Sequence, residues 1–215
     1  MPTKELALKN ATVYITYILL AWGFYRLLFQ LPEQIEETFI KPIVWLVPLL
    51  ILINKERVGL GSLGFGLNNL FSSIYYSIGL GTIFVIEGLL VNYAKYGELN
   101  FGANIGSLPF MTTLLLSFIT AVTEEIVFRG YVFNRIWYAI KNEWRANLLS
   151  TLAWTAVHTP IVFFVWRLDM FSSTLYLFLI SLFGIASAFV FARTKNIISS
   201  ILLHVLWAWP IILFR

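Results

Sequence analysis

The sequence predicts an all-α fold, a polytopic membrane helical bundle of about seven transmembrane helices. Three observations predict it. Apolar residues, counted as Ala, Val, Ile, Leu, Met, Phe, Trp, Tyr and Cys, make up 59% of the 215-residue chain. An average soluble domain reaches only about 45–50% even with glycine counted. Charged residues make up 12%, about half the usual share. The apolar residues also fall in runs of about 20, the length that crosses a bilayer core. A soluble chain of this size cannot hide so much apolar surface. Disorder would need the opposite composition. The lipid bilayer is the solvent that fits, and membrane lipid is the first partner.

Taken in order, the first span covers about 11–29, after a polar start with Lys4, Glu5 and Lys9 and with no small-residue cleavage pattern. The second, about 38–54, is short and carries Pro42 and Pro48. A polar, Gly-rich stretch from Lys55 to Asn69 follows. The third span covers about 70–94, and a Gly/Asn loop runs from Tyr96 to Ser107. The fourth covers about 108–128 and continues as helix towards Tyr138; the rest cover about 147–166, 172–192 and 196–214. No linker separates two soluble domains, so residues 1–215 read as one integral-membrane domain. Gly184 and Ala188 form a small-xxx-small pair that marks close helix packing.

The remaining counts exclude several classes of function. Without cysteine there are no disulfides, thiolate nucleophiles or Cys-based metal sites. A net charge of +4 without a dense basic patch excludes nucleic acid as a partner. With seven spans, the N-terminal side holds Lys4, Lys9, Lys55, Arg57, Arg135, Lys141, Arg145, Arg193 and Lys195. The other side holds Arg26, Lys41, Lys95, Arg167 and Arg215. The positive-inside rule then places the N-terminus in the cytoplasm, in the cell membrane if the source is prokaryotic.

Ionisable residues inside spans are costly and mark function. Glu124, Glu125, Arg129, His158 and His204 stand out, and the two histidines are the only ones in the chain. Glu87 is alone in the third span and reads as a structural or lumenal polar group. Adjacent helical residues point about 100° apart, so Glu124 and Glu125 face different directions. Glu125 and Arg129 are one turn apart and can pair, which leaves Glu124 unpaired and free for chemistry. In this orientation the glutamates fall in the inner half of the fourth span. His158 lies about 16 Å and His204 about 12 Å from the inner ends of their helices, a similar depth. A carboxylate with two imidazoles is either a metal site or a metal-free general-base site; both produce an activated water. Taken singly, each histidine reads equally well as a strut between helices and the Glu-Glu-x-x-x-Arg run as an interfacial ion pair. Their coincidence at one depth argues against that. The aromatic residues read as interfacial belts, with Trp207 and Trp209 near His204 as the exception.

At these residues the chain resembles the CPBP family, the CAAX-protease and bacteriocin-processing (Abi) intramembrane metalloproteases. Glu124-Glu125-Ile126-Val127-Phe128-Arg129, followed by Gly130, matches the first motif. Trp154-Thr155-Ala156-Val157-His158 is similar to the second, with Trp in place of Phe. His204 falls at the third, and Leu63-Gly64-Phe65-Gly66-Leu67 resembles an upstream loop element. The family-like catalytic core covers about 108–214. Position 208 is Ala where the third motif usually has Asn or Asp; Trp207 or Trp209 is a candidate replacement donor.

The resemblance implies an intramembrane endopeptidase acting on membrane-associated peptides or proteins. Glu124 would be general base on a water held with His158, His204 would stabilise the oxyanion or bind metal, and Glu125 with Arg129 would orient the base. Glu125, His158 and His204 are the ligand set for Zn2+ or another divalent metal, if one is used; a metal-free mechanism is the alternative. Ala208 favours a second reading, a non-catalytic relative serving as a peptide-binding, immunity or scaffold protein. A third reading, an ion path through the acidic residues and histidines, lacks the internal repeat common in transporters.

Overall fold

The computed structural model describes residues 2–29, 31–100 and 110–214, and these contain helices and no strand. The elements are α1 (Lys4–Leu28), α2 (Glu33–Ile35), α3 (Lys41–Lys55), α4 (Leu70–Tyr96), α5 (Phe110–Glu125), α6 (Asn134–Ile140), α7 (Glu143–Pro160), α8 (Met170–Thr194) and α9 (Ile197–Phe214). Three π-helical segments, Glu36–Ile40, Ile126–Phe133 and Ile161–Val165, continue their neighbours without a break. Five helices are long and apolar enough to cross a membrane: Lys4–Leu28, Leu70–Tyr96, Met111–Ile140, Glu143–Val165 and Met170–Thr194. The continuous helix 33–55 and α9 complete the seven apolar helices expected from the sequence. Most of the loop expected at 96–107, and the start of the fourth span, lie outside the described residues.

Helix ends follow side-chain chemistry rather than the edges of apolar runs, which is why several ends differ from those expected. Thr3 accepts a hydrogen bond from the Leu6 amide at 3.3 Å, so α1 begins seven residues before the apolar run. Asn142 accepts from the Arg145 amide at 2.9 Å and starts α7 four residues early. Asp169 accepts from the amides of Phe171 and Ser172 and opens α8; the Ser172 hydroxyl, which also donates to it, and then these amides hold its carboxyl below the usual range. Pro42, directly after the π segment, and Pro48 both lie inside the continuous helix 33–55, where each removes one backbone N–H from the ladder.

Water offers no hydrophobic drive inside a bilayer, so helices associate through small residues and interhelical hydrogen bonds. Both are abundant. Ser77 on α4 donates to the Ser199 carbonyl of α9 at 2.7 Å. Asn147 and Thr155 on α7 meet the Ile185 carbonyl and Ser181 of α8 at 3.0 and 2.8 Å. A Cβ on Gly184 would lie 2.8 Å from Thr151, so the expected close packing at Gly184 is the α7–α8 contact. Tyr14 on α1 donates to the Trp45 carbonyl of α3 at 2.6 Å.

The Gly-rich stretch after α3 is an ordered brace. Glu56 pairs with Arg135 at 2.8 Å, both fully buried, and also accepts from Tyr131 at 2.7 Å and Asn10 at 3.0 Å. Arg135 therefore belongs to the interior rather than to a loop. Asn196, between α8 and α9, donates to the carbonyls of Gly66 and Asn68, both at 2.8 Å, and the Ile197 amide donates to the Gly64 carbonyl. Gly64 has a φ of +88°, open to glycine without strain. A Cβ on Gly130 would lie 2.9 Å from the Leu63 carbonyl oxygen, so the brace packs directly on the π segment that follows Glu125.

That contact predicts a stability effect. Gly130→Val should lower stability by about 1–3 kcal/mol, because Leu63 meets it with backbone that cannot step aside. Thermal unfolding in detergent measures this; an unchanged midpoint would show that the brace yields.

Candidate active site

Two carboxylates follow one another at the end of α5, and the helix turns them to different tasks. Glu125 faces the interior. Its Oε1 accepts from Arg129 Nη1 at 3.1 Å and from His204 Nδ1 at 2.7 Å, and its Oε2 accepts from Ser187 at 2.6 Å. Arg129 donates further to the Gly184 carbonyl at 3.3 Å, with its guanidinium over Trp154 (4.7 Å) and Phe183 (5.3 Å). The pairing of Glu125 with Arg129 expected from their spacing is present.

Glu124 faces a cavity of about 410 Å³. The sequence left this carboxylate unpaired; the structure pairs it with Lys41 of α3. Lys41 also contacts Glu37 at 2.7 Å, lies near the Trp22 and Trp45 rings, and is nearly fully buried. Thr120 donates to Glu37 at 2.6 Å. Lys41 thus supplies the compensating charge that a carboxylate needs away from water. Its sequence position, beside Pro42 at the head of a short span, reads as a loop charge. The one local clue is the i,i+4 spacing of Glu37 and Lys41. Arg26, also counted as a loop charge, pairs with Glu36 and lines the same cavity.

His158 and His204 line the cavity together with Glu124, so three helices bring these groups to one space. The cavity does not lie in the half of the bundle nearer the N-terminus. Glu124 falls near the middle of the continuous helix Met111–Ile140, which runs well past residue 128. The cavity extends to Arg26, Glu33 and Trp166, at the end opposite the start of α1. Ala208 and Trp207 are on its wall. Glu87 is half-buried on α4, does not line the cavity, and makes no ion pair among the described residues. The side chain of Trp209 lies outside the described residues.

The histidine tautomers follow from their partners. His158 Nδ1 meets the Trp154 carbonyl at 2.9 Å. A carbonyl only accepts, so Nδ1 carries the proton. His204 Nδ1 likewise donates to Glu125. Each neutral ring is left with Nε2 as a lone-pair acceptor.

The expected metal set of Glu125, His158 and His204 does not fit this arrangement. Glu125 is saturated by an arginine, a histidine N–H and a hydroxyl. The carboxylate that does reach the cavity already faces an ammonium group. Among the described residues, no three His, Cys, Asp or Glu side chains are grouped as metal ligands.

Residues 106–210 match the model of a family described as Rce1-like, type II CAAX prenyl endopeptidase. That region belongs to the CAAX-protease family. No curated protein matches the chain. The family region contains Glu124, Glu125, Arg129, His158 and His204, while Lys41, Trp45 and the brace at Leu63–Leu67 lie outside it. The cavity of the matched region is completed by α1 and α3, which lie outside it.

Removing one partner of a buried ion pair leaves an uncompensated charge and costs about 3–5 kcal/mol. Arg129→Met should destabilise by that order, and the double variant Glu125→Gln with Arg129→Met should recover most of it. Detergent melting curves of the set measure the coupling; equal losses in single and double variants would contradict the pairing.

Proposed function

We propose that the chain is an intramembrane endopeptidase that cleaves membrane-associated peptide or protein segments through a glutamate-activated water. The observation that carries this reading is the convergence of Glu124, His158 and His204 on one cavity. Glu124 and the two Nε2 atoms are acceptors, and a water held among them has its O–H bonds directed at bases. Glu124 takes a proton as the water oxygen bonds to the peptide carbonyl carbon, and the carbonyl π pair moves onto oxygen. The same proton passes to the leaving nitrogen as the C–N bond breaks and the carbonyl re-forms. His204, backed by the Glu125 carboxylate, is held in orientation and steadied in any charged state it passes through. Arg129 holds the Glu125 carboxylate in place.

The family description names a prenyl endopeptidase, and a prenylated C-terminal segment is one substrate class for this cavity. Bacteriocin-type peptides are another. With Arg135 on the N-terminal side, and Arg26 and Lys41 on the other, moved into the interior, charge asymmetry still favours a cytoplasmic N-terminus. Ala208 on the cavity wall and the hold of Lys41 on Glu124 favour the second reading, a peptide-binding relative without turnover.

One experiment separates the two. The wild type, Glu124→Gln and His158→Ala are reconstituted in liposomes with a membrane-tethered peptide library. Loss of a general base costs about 10²–10⁴-fold in rate, so cleavage by the wild type should fall by that order in Glu124→Gln at unchanged thermal stability. Equal cleavage in all three would overturn the mechanism, and binding without cleavage would establish the second reading.

A further inference from the structure

The cavity is short of satisfied donors. Trp45 Nε1, Ser117 Oγ and Trp207 Nε1 have no hydrogen-bond partner among the described residues, although all three side chains are more than nine-tenths buried and line the cavity. A buried N–H without an acceptor costs about 1–3 kcal/mol. Groups like these persist where an arriving ligand supplies the acceptor. They come from α3, α5 and α9, three different helices around the cavity; Trp154 Nε1, which does not line it, is unpartnered as well.

Trp207 holds the special position. It lies one helical turn after His204, with ring centroids 5.8 Å apart. Its indole stacks on Phe183 at 4.5 Å and 18° between planes, which fixes the direction of its N–H. The acceptors around it have no donor to spare: both imidazoles spend their Nδ1–H on Trp154 and Glu125, and Ala208 has no polar group. With its Nδ1–H given to Glu125, the neutral form of His204 has no further N–H to offer a carbonyl oxygen gaining charge beside it. Lys41, the nearest cation to Glu124, is already shared between Glu124 and Glu37.

We infer that the Trp207 indole N–H receives the carbonyl oxygen of the peptide bond at the reaction centre, while Trp45 and Ser117 hold neighbouring main-chain carbonyls. The ligand class is an unwound peptide segment, whose carbonyls are free of internal hydrogen bonds; an intact helix offers only those of its last turn. This rests on the endopeptidase reading for its rate effect, but not for binding.

Trp207→Phe removes the N–H and keeps the aromatic stack. Loss of one preorganised donor to a developing oxyanion costs about 10²–10³-fold in kcat. The variant should show a fall of that order with KM changed less than about threefold. Trp45→Phe should instead act mainly on KM. Adding Ala208→Asn to Trp207→Phe places an amide donor on the same wall and should restore at least tenfold of the lost rate. The second readout is the ¹⁵N indole resonance of Trp207 in the full chain, titrated with an acetylated, amidated tetrapeptide of leucine and phenylalanine. A downfield shift of the N–H proton is expected. If Trp207→Phe keeps full kcat, or the indole resonance does not respond, the proposal is overturned. If the wild type cleaves nothing yet the tetrapeptide shifts the resonance, the carbonyl site stands and the endopeptidase reading falls.

Discussion

A carboxylate buried in a membrane protein has to be given its counter-charge and its hydrogen bonds by the protein, since water and lipid supply neither. Glu125 is that carboxylate. Meeting its demands draws in Arg129 from the π segment after α5, Ser187 from α8 and His204 from α9. Arg129 then spends its remaining capacity on the Gly184 carbonyl and the faces of Trp154 and Phe183. Four helices are tied to one ionised group. A pair of this kind need not add net stability over an apolar core, but it permits few alternative arrangements. It also sets the tautomer of His204, and so decides which nitrogen meets the cavity.

The neighbouring carboxylate shows the opposite use of the same chemistry. Glu124 is compensated by a single lysine whose other bond goes to Glu37, and the pair stands on the wall of an open space rather than in a filled one. The three π segments fall where this is needed: before Lys41, after Glu125 and after Pro160. A π turn rotates all following side chains relative to an α-helix and is often found at functional sites. Here it lets one continuous helix present Glu124 to the cavity while the residues after Glu125 pack into the interior and accept the Leu63 backbone at Gly130.

Much of this was legible from local pattern. The seven apolar helices, the Glu125–Arg129 pair, the close approach at Gly184, and the meeting of Glu124, His158 and His204 all follow from spacing along single helices, which sequence displays directly. The pairs that escaped detection join distant segments. Lys41 with Glu124, and Glu56 with Arg135, are set by tertiary packing, and Lys41, Glu56 and Arg135 each look like a loop residue at the edge of an apolar run. The sequence places the fourth span at about 108–128 with its helix continuing towards Tyr138, and the continuous helix Met111–Ile140 bears that continuation out. The depth placed on the N-terminal side followed from ending the span at about 128 rather than at the end of that helix, whose middle holds Glu124.

The division between acceptors and donors gives the cavity its chemical sense. Hydrolysis of an amide needs basic lone pairs around a water and, separately, N–H groups for an oxygen that is becoming an anion. Histidine can serve either end, and a site with two histidines leaves the choice open until their other nitrogens are accounted for. Here the accounting is complete: a backbone carbonyl and a saturated carboxylate take both Nδ1 protons. That commits the imidazoles, with Glu124, to the water. The donor half must then come from groups without a partner, and the indole of Trp207 is the one held beside His204 by a stacked ring. Alanine at 208 therefore removes a polar side chain from a wall that already carries a donor one residue away.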